Sequence, residues 1–169
     1  MELPHTAGCV VCGRQNPHGL GLSLHVDEGG GAVSVEFTPR PEHIGFEGIV
    51  HGGVLATVLD EAMVWAATWA GKRFCVAAEM TVRFQKSAAV GHLLRCEARV
   101  QAPKSQRSGL PRLFNTVGTI VEAHSGILVA EAGGKYVPVP AERNKLVVAT
   151  LVDEYPTAPA AARLKEAAT

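Results

Sequence analysis

Apolar and polar residues alternate with a period of two in several segments of this chain, as they do in strands buried on one face. The clearest alternation covers residues 32–37, and the glycine-rich stretch 27–31 separates it from an earlier strand-like segment. That stretch predicts the turn of a hairpin. Four later segments repeat the alternation: 80–84, 94–100, 113–122 and 127–137. The pattern therefore predicts about six antiparallel strands, with a turn at Gly126 and a bulge at Gly133–Gly134.

A different pattern fills residues 54–69, where apolar side chains cover nearly every direction around a helix axis. Such a helix must be enclosed by protein on most sides. Strands before and after it, in the order ββαββββ, predict an α+β fold in which a curved antiparallel sheet wraps round one long central helix. We assign this domain to residues 20–140, after a turn-rich N-terminal segment at 1–19. A C-terminal tail follows at 141–169, for which a short helix is expected.

The composition fits one soluble globular domain, with 169 residues of which 47% are hydrophobic and 19% charged. Sixteen basic and sixteen acidic residues argue against a nucleic-acid-binding protein, whose domain is usually basic. The apolar run 48–71 is long enough for a membrane span, but Asp60 and Glu61 at its centre would each cost about 2.5–3.5 kcal/mol there. A buried helix and no membrane partner are therefore expected. Without a visible signal peptide, the four cysteines indicate reduced thiols and a cytoplasmic protein.

The segment 48–63 carries the most informative chemistry. The predicted helix starts at Gly52 and Gly53, and no serine, threonine, aspartate or asparagine stands just before it as a cap. Unpaired N–H groups at a helix start can bind an anion or a developing oxyanion. His51 adjoins this start. Asp60 lies about two turns further on, where a buried carboxylate can act as a general base or nucleophile.

Plainer interpretations of the same residues stay open. The run His51-Gly52-Gly53 is also typical of a tight turn, and two adjacent acids are typical of a solvated helix face. Because neighbours on a helix point about 100° apart, at most one of Asp60 and Glu61 should face a given site.

The run His51-Gly52-Gly53 followed by Asp60 on a buried helix resembles the hotdog-fold acyl-CoA thioesterases, the superfamily of the 4-hydroxybenzoyl-CoA and phenylacetyl-CoA types. Residues 79–84 and the pair Val90-Gly91 extend the resemblance over roughly residues 19–138. It implies a hydrolase that cleaves an acyl-CoA thioester to a carboxylic acid and free CoA, with no cofactor beyond the CoA of the substrate. In that family, subunits pair edge to edge and active sites lie at the subunit interface. A homodimer or a dimer of dimers is thus expected.

The resemblance also implies roles for individual residues. Asp60 matches the catalytic carboxylate, Gly52 or Gly53 the backbone oxyanion donor, and His51 the histidine of the motif.

Two positions depart from the family pattern. Gly45 stands where many relatives have asparagine, and Ala77 where many have a water-holding serine or threonine. Glu79, two residues beyond Ala77, is assigned to substrate binding.

Charge is distributed unevenly along the chain. Residues 1–71 hold two basic and eight acidic residues, whereas residues 72–112 hold nine basic and two acidic ones. Within this basic block, the turn 103–109 contains Lys104 and Arg107, which are candidates for binding the phosphates of CoA. A solvated strand face and loop would explain the same charges.

Cys9 and Cys12 have the spacing of metal ligands, with His5 and His18 on either side. A closed zinc site needs four ligands, and no second Cys-x-x-Cys follows. The spacing alone therefore favours packing or turn structure over a zinc site or a redox pair, and we assign no metal. The two other cysteines are typical of core thiols.

Two further functions remain alternatives. A hotdog hydratase or dehydratase would apply an acid–base pair, often a histidine with a carboxylate, to an enoyl or hydroxyacyl thioester. A non-catalytic acyl-CoA-binding module would need no water-holding hydroxyl, which agrees with Gly45 and Ala77.

Overall fold

The computed structural model describes residues 1–102, 112–152 and 154–168. The helices are α1 (Gly52–Gly71), α2 (Ala141–Val148) and α3 (Ala158–Glu166), with one short 3-10 turn at Pro41–His43. The strands, in chain order, are β1 (His5–Thr6), β2 (His25–Val26), β3 (Val33–Phe37), β4 (Ile44–Phe46), β5 (Ile49–Val50), β6 (Cys75–Phe84), β7 (Leu94–Val100), β8 (Phe114–Glu122), β9 (Leu128–Pro138) and β10 (Leu151–Val152).

The main sheet contains six antiparallel strands in the order β2-β3-β7-β8-β9-β6. Helix α1 contacts five of them: β3, β6, β7, β8 and β9. The predicted α+β fold, with a large antiparallel sheet and one long central helix, is confirmed. The long strand β6 forms one edge of this sheet and is paired only with β9 among the described residues.

Helix α1 is buried on most of its faces, as its apolar circumference predicts. Six of its residues expose nothing to solvent: Val58, Leu59, Ala62, Met63, Ala66 and Ala67. The sheet approaches it closely at Gly118 of β8, where a Cβ atom would lie 3.1 Å from Cδ2 of Leu59. Near the end of the helix, the Arg163 guanidinium of α3 lies 4.2 Å from the centre of the Trp69 ring. The sheet and the C-terminal tail thus both cover the helix.

The bulge predicted at Gly133–Gly134 is wrong. Both glycines pair in continuous register with β6 and β8, and the irregularity in the β6–β9 pair lies between Ala77 and Glu79. Gly134 serves packing instead, because a Cβ atom there would lie only 2.7 Å from Cε2 of the Tyr136 ring. The absence of a side chain at Gly134 therefore leaves space for that ring.

The two ends of the chain meet outside the main sheet. Strand β1 pairs with β10, so that His5 lies opposite Val152 and Thr6 opposite Leu151. The tail, for which one short helix was expected, contains α2, β10 and α3. In the part of the chain that the structure describes, no helix has the length and hydropathy needed to cross a membrane.

Replacing Leu59 with alanine should lower the free energy of unfolding by about 2–5 kcal/mol, because the fully buried side chain leaves a cavity between helix and sheet. Urea denaturation measures this change. Leu146→Ala is the matched control, since that leucine is also helical but 64% exposed, and its effect should stay within about 0.5 kcal/mol. Equal losses in the two variants would contradict the packing described for α1.

Candidate functional site

The N-terminus of α1 is capped by a residue that the sequence analysis did not recognise as a cap. The Gly53 N–H donates to Nδ1 of His51 at 2.8 Å, and the Val54 N–H donates to the His51 carbonyl at 2.9 Å. The expectation of an uncapped helix is therefore corrected, because the imidazole satisfies Gly53. The Gly52 N–H finds no acceptor among the described residues. Of the two candidate oxyanion donors, Gly52 is thus the one left available.

A cleft of about 440 Å³ opens at this helix start, and His51, Gly52 and Phe84 are among the residues lining it. Gly52 touches the aromatic ring so closely that a Cβ atom would lie 3.2 Å from Cζ of Phe84. Two aromatic side chains in the lining are unusually exposed, Phe46 at 79% and Phe84 at 55%. The cleft therefore offers an apolar wall beside an available backbone N–H.

Gly45 has a steric explanation in the structure. It lies in β4 against His51, and a Cβ atom on it would be 3.0 Å from Cδ2 and 3.1 Å from Cα of the histidine. A side chain at this position would push on the residue that caps α1. Glycine at position 45 therefore leaves room for the imidazole of His51 in its capping position.

Asp60 is held by a buried tyrosine that the sequence analysis missed. The Tyr136 hydroxyl of β9 donates to Oδ1 of Asp60 at 2.7 Å, and Tyr136 itself is fully buried. Burial, followed by the hydrogen bond to the carboxylate, raises the pKa of the Tyr136 phenol well above its usual range. The phenol therefore remains a hydrogen-bond donor, and the half-buried carboxylate is fixed in orientation.

A tyrosine hydroxyl lies on the same face of the sheet as Ala77. Ala77 of β6 lies directly opposite Tyr136 of β9, and residues opposite each other in an antiparallel pair share a face of the sheet. The tyrosine hydroxyl thus lies on the same face as Ala77, at the carboxylate. The one feature of the sequence that could have indicated a packed ring at Tyr136 is Gly134, which leaves space for that ring.

Gly52 and Asp60 are too far apart to act on one atom within a single chain. They are eight residues apart on α1, which corresponds to about 12 Å along the axis at 1.5 Å per residue. The structure therefore brings His51, Gly52 and Gly53 together at the helix start and leaves Asp60 with Tyr136 at a second location.

The structure does not bring Glu79 to Asp60. Met80 and Val82 pack on the core, so Glu79 points to the outer face of the sheet by strand alternation. There its Oε2 lies 2.7 Å from Nζ of Lys135 on β9. The other two residues assigned to substrate binding, Lys104 and Arg107, lie outside the described residues.

A second group of reactive side chains adjoins α1 on another side. One ligand atom from each of Cys9, Cys12 and Glu61 lies within 4.8 Å of the others, and we call these residues the thiol–carboxylate cluster. His5 and His18, which flank the cysteines in the sequence, are not among them. The Trp65 Nε1–H donates to Oε1 of Glu61 at 3.0 Å. Glu61 is therefore oriented by its own helix toward the cysteines.

The electrostatics of this cluster are unusual. The Cys12 thiol donates to the Cys9 sulfur and, with the backbone N–H groups around it, lowers the pKa of Cys9 to about 5. The same contact and burial raise the pKa of Cys12 well above its usual range. Burial raises the pKa of Glu61 to about 6. The contact between the two sulfurs thus favours the thiolate form at Cys9 and the thiol form at Cys12.

One region of the chain matches a known protein family. A family model described as Thioesterase superfamily matches residues 47–105, which include α1, β6 and β7. No curated protein is similar enough in sequence to match this chain.

Solved structures share the fold. A thioesterase superfamily protein is 24% identical with a TM-score of 0.66, over 76% of this chain, which spans 62% of that protein's length. The E. coli PaaI protein from the phenylacetic acid degradation operon is 24% identical with a TM-score of 0.60, over 72% of this chain and 81% of that one. A Streptococcus mutans UA159 protein solved with bound acetyl CoA is 18% identical with a TM-score of 0.59, over 70% of this chain and 88% of that one.

The chain therefore has the hotdog fold of the thioesterase superfamily, with the family's sequence pattern in the segment that builds α1, β6 and β7.

Proposed function

We propose that this protein is an acyl-CoA thioesterase, with Asp60 as the catalytic carboxylate and the Gly52 N–H as the oxyanion donor. The observation that carries this proposal is the 2.7 Å hydrogen bond from Tyr136 to Oδ1 of Asp60. It orients a carboxylate on the central helix, and Oδ2 accepts no hydrogen bond from the described residues. That oxygen is therefore available to water or to the substrate.

The chemistry follows from these two groups. The Gly52 N–H and the positive end of the α1 dipole polarise the thioester carbonyl and stabilise the oxyanion that forms on it. Asp60 accepts a proton from water as the water oxygen bonds to the carbonyl carbon, or it attacks that carbon itself. The C–S bond then breaks, and the thiolate of CoA leaves with the electron pair. After attack by water, the acyl group is released as a carboxylic acid and the proton held by Asp60 passes to the thiolate. After attack by Asp60, the acyl group stays on the carboxylate as a mixed anhydride, which water hydrolyses to the acid and free Asp60.

The distance between Gly52 and Asp60 supports a site shared between two copies of the chain. Strand β6 has ten residues, forms the edge of the main sheet and is exposed along most of its length. A long open edge is a ready template for pairing with another strand. We propose that two copies pair along β6, so that Gly52 of one subunit and Asp60 of the other line a shared site.

The hydratase and dehydratase alternative is less well supported by the position of His51. Its Nδ1 accepts the Gly53 N–H, so one of its two ring nitrogens is already used in capping the helix. The capping contact suits a role in holding the helix start at the oxyanion site. It does not suit proton transfer to and from an acyl chain, because Nδ1 is already occupied.

The decisive test of the function is a free-thiol release assay over a panel of aliphatic and aryl CoA thioesters. Hydrolysis releases CoA from at least one of them. A product that keeps its thioester would favour the hydratase or dehydratase, and tight binding without turnover would favour a binding module.

Replacing Asp60 with asparagine should lower kcat by at least about a hundredfold, because the amide cannot accept the proton or attack the carbonyl. Steady-state thiol release measures this. Asp27→Asn is the matched control, since Asp27 is an exposed residue of the β2–β3 turn. Full activity of the Asp60 variant would overturn the assignment.

A site shared between two subunits can be tested by mixing two inactive variants. Gly52→Pro removes the proposed oxyanion donor at a helix position that tolerates proline, and it should also inactivate the enzyme. After the two inactive variants are mixed and allowed to exchange subunits, heterodimers contain one intact site of two. Activity should then return to about a quarter of the wild-type value. No recovery, despite demonstrated exchange, would contradict the interface site.

Tyr136→Phe should lower kcat about 10- to 100-fold with little change in KM, because Asp60 loses a hydrogen bond to a charged group worth about 1.5–3 kcal/mol. Tyr155→Phe removes the only other tyrosine hydroxyl of the chain, at a residue that is 91% exposed, and should leave kcat unchanged. A Tyr136 variant that raises KM alone would assign the tyrosine to substrate binding rather than to positioning Asp60.

Lys104 and Arg107 remain proposed ligands of the CoA phosphates, on the strength of the basic block in the sequence. Replacing both with glutamine should raise KM for CoA thioesters about tenfold and leave KM for short thioesters without the nucleotide nearly unchanged. The control Arg143→Gln/Lys145→Gln removes the same charge from exposed positions of α2. Equal effects on both substrate types would contradict phosphate binding.

A further inference from the structure

We propose that Cys9, Cys12 and Glu61 bind one zinc ion, which joins the N-terminal segment to helix α1 beside Asp60. This site is separate from the proposed thioester chemistry, and its test does not depend on that activity.

The geometry of the three side chains suits a tetrahedral ion. Zinc binds thiolate sulfur at about 2.3 Å and carboxylate oxygen at about 2.0 Å, so its ligand atoms lie roughly 3.5–3.8 Å apart. The Cys9 Sγ lies 3.9 Å from Oε1 of Glu61, and all three ligand atoms fall within 4.8 Å of one another. Small side-chain rotations close the remaining difference. Cys9 is only partly buried, so a solvent molecule can supply the fourth ligand.

The backbone of the loop that contains Cys9 donates hydrogen bonds to the sulfur of this residue. The backbone N–H groups of Val11 and Cys12 both donate to the Cys9 Sγ at 3.4 Å. The loop closes tightly at Gly13, where a Cβ atom would lie 2.4 Å from the Cys9 carbonyl oxygen and 2.6 Å from that of Ala7. Backbone donors of this kind orient a ligand and neutralise part of its charge, as outer-shell groups of metal sites do.

The Glu61 carboxylate has a hydrogen-bond partner on its own helix, and no cationic side chain of the described residues contacts it. The Trp65 Nε1–H donates to Oε1 of Glu61 and sets the orientation of the carboxylate. Within the described ranges, no lysine, arginine or histidine nitrogen lies within 4.0 Å of it. Two sulfurs and a carboxylate that converge without a side-chain cation form a donor set of net negative charge. Thiolate sulfur in that set favours zinc over magnesium or calcium.

Glu61 also distinguishes a metal site from a redox pair. A disulfide between Cys9 and Cys12 would need only the two sulfurs. It would leave the half-buried Glu61 carboxylate beside a neutral bond, with Trp65 as its polar partner. A zinc ion uses all three side chains and offsets their charge, so it accounts for the third member of the cluster.

X-ray absorption on the reduced wild-type protein, stripped of metal and reloaded with one equivalent of Zn²⁺, tests the proposal without any variant. We expect two sulfur scatterers at about 2.3 Å and two oxygen scatterers at about 2.0 Å. Loading should also raise Tm, because the ion binds the folded chain. A first shell of oxygen or nitrogen alone, or failure to retain zinc, would overturn the site.

Variants then identify the ligands through Co²⁺ substitution. Cys9→Ser and Cys12→Ser should each reduce the sulfur-to-cobalt absorption by about half, since each removes one of two sulfurs. Glu61→Gln keeps an acceptor for Trp65 and both sulfurs, and should weaken zinc binding at least about tenfold. Cys75→Ser, which changes a buried cysteine in β6 outside the cluster, should alter neither property. Binding that is the same in all four variants would contradict the proposal.

Discussion

The constraint on which the rest of the structure depends is the placement of two neighbouring carboxylates in an enclosed apolar helix. A buried carboxylate without partners is costly, and α1 carries Asp60 and Glu61 next to each other. Because they point about 100° apart, the fold has to satisfy them from two directions. The sheet supplies the Tyr136 hydroxyl to Asp60, whereas Trp65 and the N-terminal segment meet Glu61. Asp60 therefore needs a polar partner from the sheet, and Glu61 needs polar partners from Trp65 and the N-terminal segment.

The elements of the fold could largely be predicted from the sequence because each is encoded locally. Alternation with period two marks the long strands, and an unbroken apolar circumference marks α1. The candidate site could be predicted only in part. Asp60 and the glycines were proposed as site residues from their positions on the helix, whereas Tyr136 was not proposed. A tyrosine in a strand gives no local indication of which distant side chain its hydroxyl will contact. Gly134, which leaves space for the tyrosine ring, was interpreted as part of a bulge.

Two other features escaped sequence reasoning for related reasons. Histidine is not among the usual residues that cap helices, so the contact from His51 to Gly53 was not expected. The thiol–carboxylate cluster joins residues 52 positions apart, and the short spacing of Cys9 and Cys12 gave no sign of Glu61. Local patterns predict elements well, whereas a site formed by tertiary contact requires the packing of those elements.

A rotation of α1 about its axis would move Asp60 and Glu61 together, because both lie on the same helix. Side-chain ends lie about 5–6 Å from a helix axis, so a rotation of about 10° moves a carboxylate oxygen by about 1 Å. A misplacement of that size can cost about a hundredfold in rate. The packing of α1 against five strands limits this rotation, and the hydrogen bond from Tyr136 restrains Asp60 directly from the sheet side. A zinc ion at the adjacent Glu61 would restrain it from a second direction, about 100° away around the axis, because the ion would be tied to a loop folded tightly about Cys9. The proposed metal site would thus stabilise the orientation of Asp60 without contacting it.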